Sequence, residues 1–171
     1  MYLCPMDYNQ LNNNDDFAKI ANTFVVYKVR SVWHEIARMY NEMAVGYNSS
    51  MAAGFILLTI NEEKGTPVTK IAPRMGMEPN SLSRVLKSMQ QRGLIVRRKD
   101  GSDNRKVYVC LTDYGREMRK LALKGVYRVN QQILNQFPPE KIDAFLEVMN
   151  AIPNVVNDVC SQLVTENRQT P

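Results

Sequence analysis

The chain has 171 residues, 44% hydrophobic and 23% charged, with 22 Lys and Arg against 17 Asp and Glu for a formal charge of +5. That size can bury a core without metal or disulfide staples, and that balance excludes wholesale disorder. The richest apolar run, residues 51–60, is half of a membrane span, and the first twenty residues lack the n- and h-regions of a secretion signal, so no membrane partner is expected.

Residues 1–14 are polar, with Asn12, Asn13 and Asn14 in a row, and read as a flexible arm. Asp15 or Asp16 can cap a helix over 15–48, whose apolar residues (Phe17, Ile20, Phe24, Tyr27, Val32, Ile36, Met39, Met43) recur at helical steps. Ser49 or Ser50 caps a short, all-apolar helix, closed by the turn at 63–65. Two short helices follow with a sharp turn between them. The first, 67–75, buries Val68, Ile71, Ala72 and Met75, and Gly76 ends it. Pro73 inside it predicts a local distortion. The second runs from Pro79 to about Arg92 with Leu82, Val85, Leu86 and Met89 inward. Strands over 94–99 and 105–111 then flank a polar tip, the second alternating Val107, Val109 and Leu111 with Lys106, Tyr108 and Cys110. Thr112 caps a further long helix, Pro138-Pro139 ends it, and a final helix with heptad-like spacing carries Pro153, where a kink is predicted.

The charge is unevenly placed. Residues 64–106 hold eleven Lys and Arg against three Asp and Glu, a net +8, which leaves −3 on the remainder. Helix, turn, helix and a hairpin with a basic tip describe a winged helix-turn-helix, whose second helix enters the major groove. Its polar positions here are Asn80, Ser81, Ser83, Arg84 and Lys87. Asn and Arg can make bidentate bonds to adenine and guanine, and Ser suits either. Taken alone, these residues read more readily as the solvated face of an amphipathic helix. The hairpin shifts the reading: Arg97, Arg98, Lys99 and Lys106 flank a tip in which Arg105 can enter a minor groove, with Asp103 placed to orient it.

These runs resemble the MarR family of winged-helix transcriptional regulators. Ile71-Ala72 with Met75 to Arg84 is similar to its helix-turn-helix, and Gly93 to Arg97 to its first wing strand. Asp103 to Gly115 is similar to its Asp-x-Arg wing and Leu-Thr-x-x-Gly entry to the next helix. Glu78 stands where a capping Ser is usual. The expected architecture is mainly α with a small β-hairpin wing: an arm over 1–14, an N-terminal helix of the dimerisation region over 15–48, the DNA-binding winged helix-turn-helix over 49–112 and C-terminal dimerisation helices over 113–171. The resemblance implies a cytoplasmic homodimer on a pseudo-palindromic double-stranded DNA operator, more often a repressor than an activator. Apolar stripes on the terminal helices, broader than one small core can cover, support the dimer independently.

The resemblance also implies control by a small, often phenolic effector or by cysteine oxidation. Trp33, His34, Tyr40 and Tyr47 are candidate wall residues for an aromatic ligand, with core or dimer packing as the alternative. Cys4 lies in a polar segment without a nearby cation to lower its pKa, Cys110 reads as a strand residue and Cys160 as a helix-core residue. The three cysteines form no Cys-x-x-Cys pair, in keeping with a reducing compartment. No paired nucleophile and base, Gly-rich phosphate loop or His/Cys/Asp cluster supports an enzyme, a cofactor or a metal site. The competing reading is a winged-helix protein-interaction module, or an antagonist of another regulator, without DNA binding.

Overall fold

The computed structural model describes residues 21–100 and 106–169. The expected arm, the Asp15/Asp16 cap, Cys4 and the wing-tip residues Asp103 and Arg105 lie outside the described residues. The chain divides into two compact units between Ala122 and Leu123, inside a long helix.

The first unit opens on a 3-10 turn, Ala21–Thr23, before α1 (Val25–Val45). Within the described residues, the helix expected over 15–48 is interrupted before Val25. Phe24 is extended at φ −79° and ψ 126°, and its N–H donates to the Ala21 carbonyl at 3.2 Å. After α1 the left-handed residue is Asn48, at φ 48°, and not Gly46. Ser50 then caps α2 (Met51–Thr59), its hydroxyl accepting from the Ala53 N–H at 3.2 Å. Apolar on every side, α2 belongs in the interior, and Ala53, Ile56 and Leu57 are buried. Asn41 joins it to α1: its side-chain oxygen accepts from the Met51 N–H at 3.0 Å while its amide donates to the Ala37 carbonyl at 2.9 Å.

A two-residue strand that the sequence did not announce, β1 (Thr66–Pro67), precedes α3 (Val68–Met75). The buried Thr66 hydroxyl donates to the Thr59 carbonyl at 3.3 Å and accepts from the Asn61 N–H at 2.9 Å. α3 stays one helix through Pro73, which is exposed near its C-terminal end. Gly76, left-handed at φ 57°, closes it, and the Met77 N–H returns to the Ala72 carbonyl at 3.1 Å. α4 (Pro79–Gln91) leads to β2 (Ile95–Lys99) and β3 (Val107–Leu111). β3 is central in an antiparallel sheet of order β1-β3-β2, with Ile95 opposite Leu111, Lys99 opposite Val107 and Thr66 opposite Val109. One core holds these elements together: Ile56, Leu57 and Ile60 beside Ile71, Leu82, Leu86, Met89, Leu94, Ile95, Val109 and Leu111.

The junction of wing and α5 (Asp113–Gln136) explains the Leu-Thr-x-x-Gly motif. The Thr112 hydroxyl donates to the Gly93 carbonyl at 2.6 Å and accepts from the Gly115 N–H at 2.9 Å, capping α5 while holding the start of β2. The Thr112 N–H donates to the Leu94 carbonyl at 3.2 Å. A Cβ on residue 115 would stand 1.9 Å from that same carbonyl oxygen, so only glycine fits.

The second unit holds the remainder of α5 and α6 (Pro139–Gln169), which begins on Pro139 and continues as one helix through Pro153. No side chain over 123–165 is buried. Tyr127, Ile133, Leu134, Phe145, Leu146, Val156, Val159 and Leu163 are all exposed. Cys160 is exposed too, and not a core residue as its spacing suggested, because the apolar stripe it belongs to has no cover within the unit.

Candidate nucleic-acid interface

α4 is sided by its sequence. Leu82, Leu86 and Met89 are no more than 2% exposed and face the core. Asn80, Arg84, Lys87 and Gln91, spaced by four, three and four residues, share the opposite side, with Ser81 and Ser83 flanking them. All five recognition-helix candidates are exposed. Glu78 occupies the N-cap with extended backbone, and its carboxylate makes no capping bond.

Arg97, Arg98 and Lys99 on β2 and Lys106 just before β3 are exposed as well. Strand alternation places Arg97 and Lys99 on one face and Arg98 on the other. Asp103 and Arg105, between these strands, lie outside the described residues. Among the described residues Arg84, Lys87, Arg97, Arg98 and Lys99 make no ion pair. By contrast Arg119 pairs with Glu62, Arg116 with Asp113 at 3.4 Å and Lys120 with Glu117 at 2.8 Å. The hydrogen bond and charge of Glu117 raise the Lys120 pKa, so that cation is engaged on its own helix. The unpaired cations of α4 and β2 keep their charge available to an outside anion.

Arg84 also borders a feature that periodicity did not reveal. An open cleft of about 370 Å³ separates the turn before α2 from α4, lined by Asn48, Ser49 and Ser50 on one side and Arg84, Ser88 and Arg92 on the other. Arg92 closes one end by donating to the Tyr47 carbonyl at 3.2 Å. The capping signal at Ser50 was legible, but the approach of that loop to α4 is tertiary.

The aromatic candidates do not share one environment. Tyr40 is half-buried, edge-on to Phe55 with ring centroids 5.4 Å apart, and burial raises its phenol pKa. Trp33, two turns earlier on the same side of α1, is 49% exposed; His34 and Tyr47 are also exposed. Cys110 is half-buried on β3.

Comparison with known proteins agrees with this geometry. Residues 50–107 match the model of the MarR family. The HTH-type transcriptional regulator SarZ of Staphylococcus saprophyticus is 21% identical over 123 residues, covering 72% of this chain and 81% of SarZ. Among solved structures, S. aureus MepR in a DNA complex superposes with a TM-score of 0.72 at 17% identity, over 77% of this chain and 98% of MepR. CouR from Rhodococcus jostii RHA1, bound to p-coumaroyl-CoA, superposes with a TM-score of 0.69 at 20% identity, over 77% of this chain and 93% of CouR. At these identities the structural likeness establishes the fold, a mainly helical winged helix.

Proposed function

From the MarR-family domain that the chain carries at residues 50–107, we propose that it is a dimeric, sequence-specific DNA-binding transcriptional regulator of the cytoplasm. One observation carries the reading: α4 buries Leu82, Leu86 and Met89 and turns Asn80, Arg84 and Lys87 outward, beside the exposed cations of β2. In this reading Asn80, Ser81, Ser83 and Arg84 meet base edges in the major groove. Lys87, Arg97, Arg98, Lys99 and Lys106 neutralise phosphates, and Arg105, oriented by Asp103, enters the minor groove.

The dimer is supported by the apolar surface that α1 and the second unit leave exposed, including Val25, Val29, Val32, Phe145, Val156 and Leu163. Such a surface fits a second copy of the chain, and a two-fold pair reads half-sites roughly 10 bp apart, centre to centre. We read the regulator as a repressor relieved by a small aromatic ligand. The p-coumaroyl-CoA held by CouR supports that class of effector, with Trp33, His34, Tyr40 and Tyr47 as candidate walls. Selecting bound fragments from a genomic library tests the function. Enrichment of a pseudo-palindrome is expected; a chain that retards no duplex would instead be a protein-interaction module.

A further inference from the structure

We propose that Glu78 is a base-reading residue that selects cytosine at one position in each half-site. The assignment rests on the DNA-reading function above. Glu78 immediately precedes Pro79, at the end of α4 whose residues meet base edges in helix-turn-helix proteins. Its place is that of a cap, yet Glu is outside the set of good capping residues, and its carboxylate takes no bond from the N–H groups of the first turn. It is exposed, and among the described residues it enters no ion pair or side-chain hydrogen bond. Among the described residues nothing uses this carboxylate.

Its charge makes the position informative. Between residues 68 and 91 Glu78 is the only acid, among Lys70, Arg74, Arg84 and Lys87. A carboxylate carried toward DNA is repelled by the phosphates unless a donor in the groove receives it. An ionised carboxylate only accepts hydrogen bonds. In the major groove cytosine presents the N4 amino donor without an acceptor of its own beside it. Adenine sets the N7 lone pair next to its N6 donor, whereas guanine and thymine present acceptors. An acceptor-only side chain therefore favours cytosine, tolerates adenine poorly and rejects guanine and thymine. With Asn80 suited to adenine and Arg84 to guanine on α4, Glu78 at the N-cap adds a third base preference at the start of that helix.

The test selects binding sites from a random duplex library with the full-length wild-type chain, E78Q and E78A at matched salt. Thermal melting of all three first establishes that they are folded. Wild type is expected to enrich a cytosine at one position per half-site, binding that duplex about tenfold tighter than one with guanine there. In E78Q the position should drift to adenine, because an amide offers a donor and an acceptor together. In E78A it should lose its preference while the other positions hold. An identical motif from all three chains, with uniformly tighter binding by the variants, would mean that Glu78 only repels phosphates and would overturn the assignment alone. A folded wild type that enriches no motif would overturn the DNA-reading function, and this assignment with it.

Discussion

Gly115→Ala places the greatest stress on the fold for the smallest change in chemistry. The new methyl would stand 1.9 Å from the Leu94 carbonyl oxygen, 3.0 Å from its carbon and 3.3 Å from the Thr112 hydroxyl. The first distance is far inside van der Waals contact, and the atom it meets is backbone, so α5 and the start of β2 must separate. Separation strains the Thr112 N–H bond to Leu94 and the Gly115 N–H bond to the Thr112 hydroxyl. Two such bonds contribute about 1 kcal/mol each, and forced overpacking adds about 1–3 kcal/mol. Alanine recovers at most about 1 kcal/mol through helix propensity. The net expectation is a loss of about 2–4 kcal/mol, read by urea denaturation at one fixed protein concentration, since the proposed dimer would make apparent stability concentration-dependent. Leu94 is also a core residue that fixes the wing, so DNA affinity should fall with stability. A Gly115→Ala chain as stable as wild type would refute the close approach, and with it this explanation of the Leu-Thr-x-x-Gly motif.

Three further changes probe other elements. Ser50→Ala removes the α2 cap and should cost about 1 kcal/mol in the same denaturation assay, with no change of oligomeric state. Val156→Asp puts a charge into the exposed stripe of α6 and should yield a folded monomer by light scattering, with DNA affinity greatly reduced; an unchanged dimer would remove α6 from the interface. The Tyr40 phenol, raised by burial, is deprotonated more readily in the unfolded chain. Stability should therefore fall as pH rises above about 10, the ordinary phenol value, and Tyr40→Phe should flatten that alkaline loss in pH-dependent melting.

The parts legible in the sequence are those decided locally. The apolar steps of Leu82, Leu86 and Met89 marked the buried side of α4, and Gly76 and Pro79 marked the turn before it. The alternation from Val107 to Leu111 marked β3. Other features needed neighbours. β1 is two residues long, too short for any period, and exists because β3 lies beside it. The apolar steps from Val32 to Met43 ran on without a break toward Phe24, yet the extended backbone of Phe24 sets the start of α1 at Val25. Arg92 and the serines before α2 entered the site only once the α1–α2 turn was seen across from α4.

In the proposed function the exposed side of α4 and the cations of the wing grip DNA. The most direct measurement is the affinity for a selected operator duplex, by fluorescence anisotropy, across a salt series. A dimer that neutralises about six to ten phosphates should lose about 10³–10⁵ in affinity between 50 and 200 mM salt. Lys87→Ala should make the logarithmic slope shallower by about two, one contact from each protomer. Binding that ignores salt, or a wild-type chain that binds no selected duplex at the lowest salt, would contradict the account.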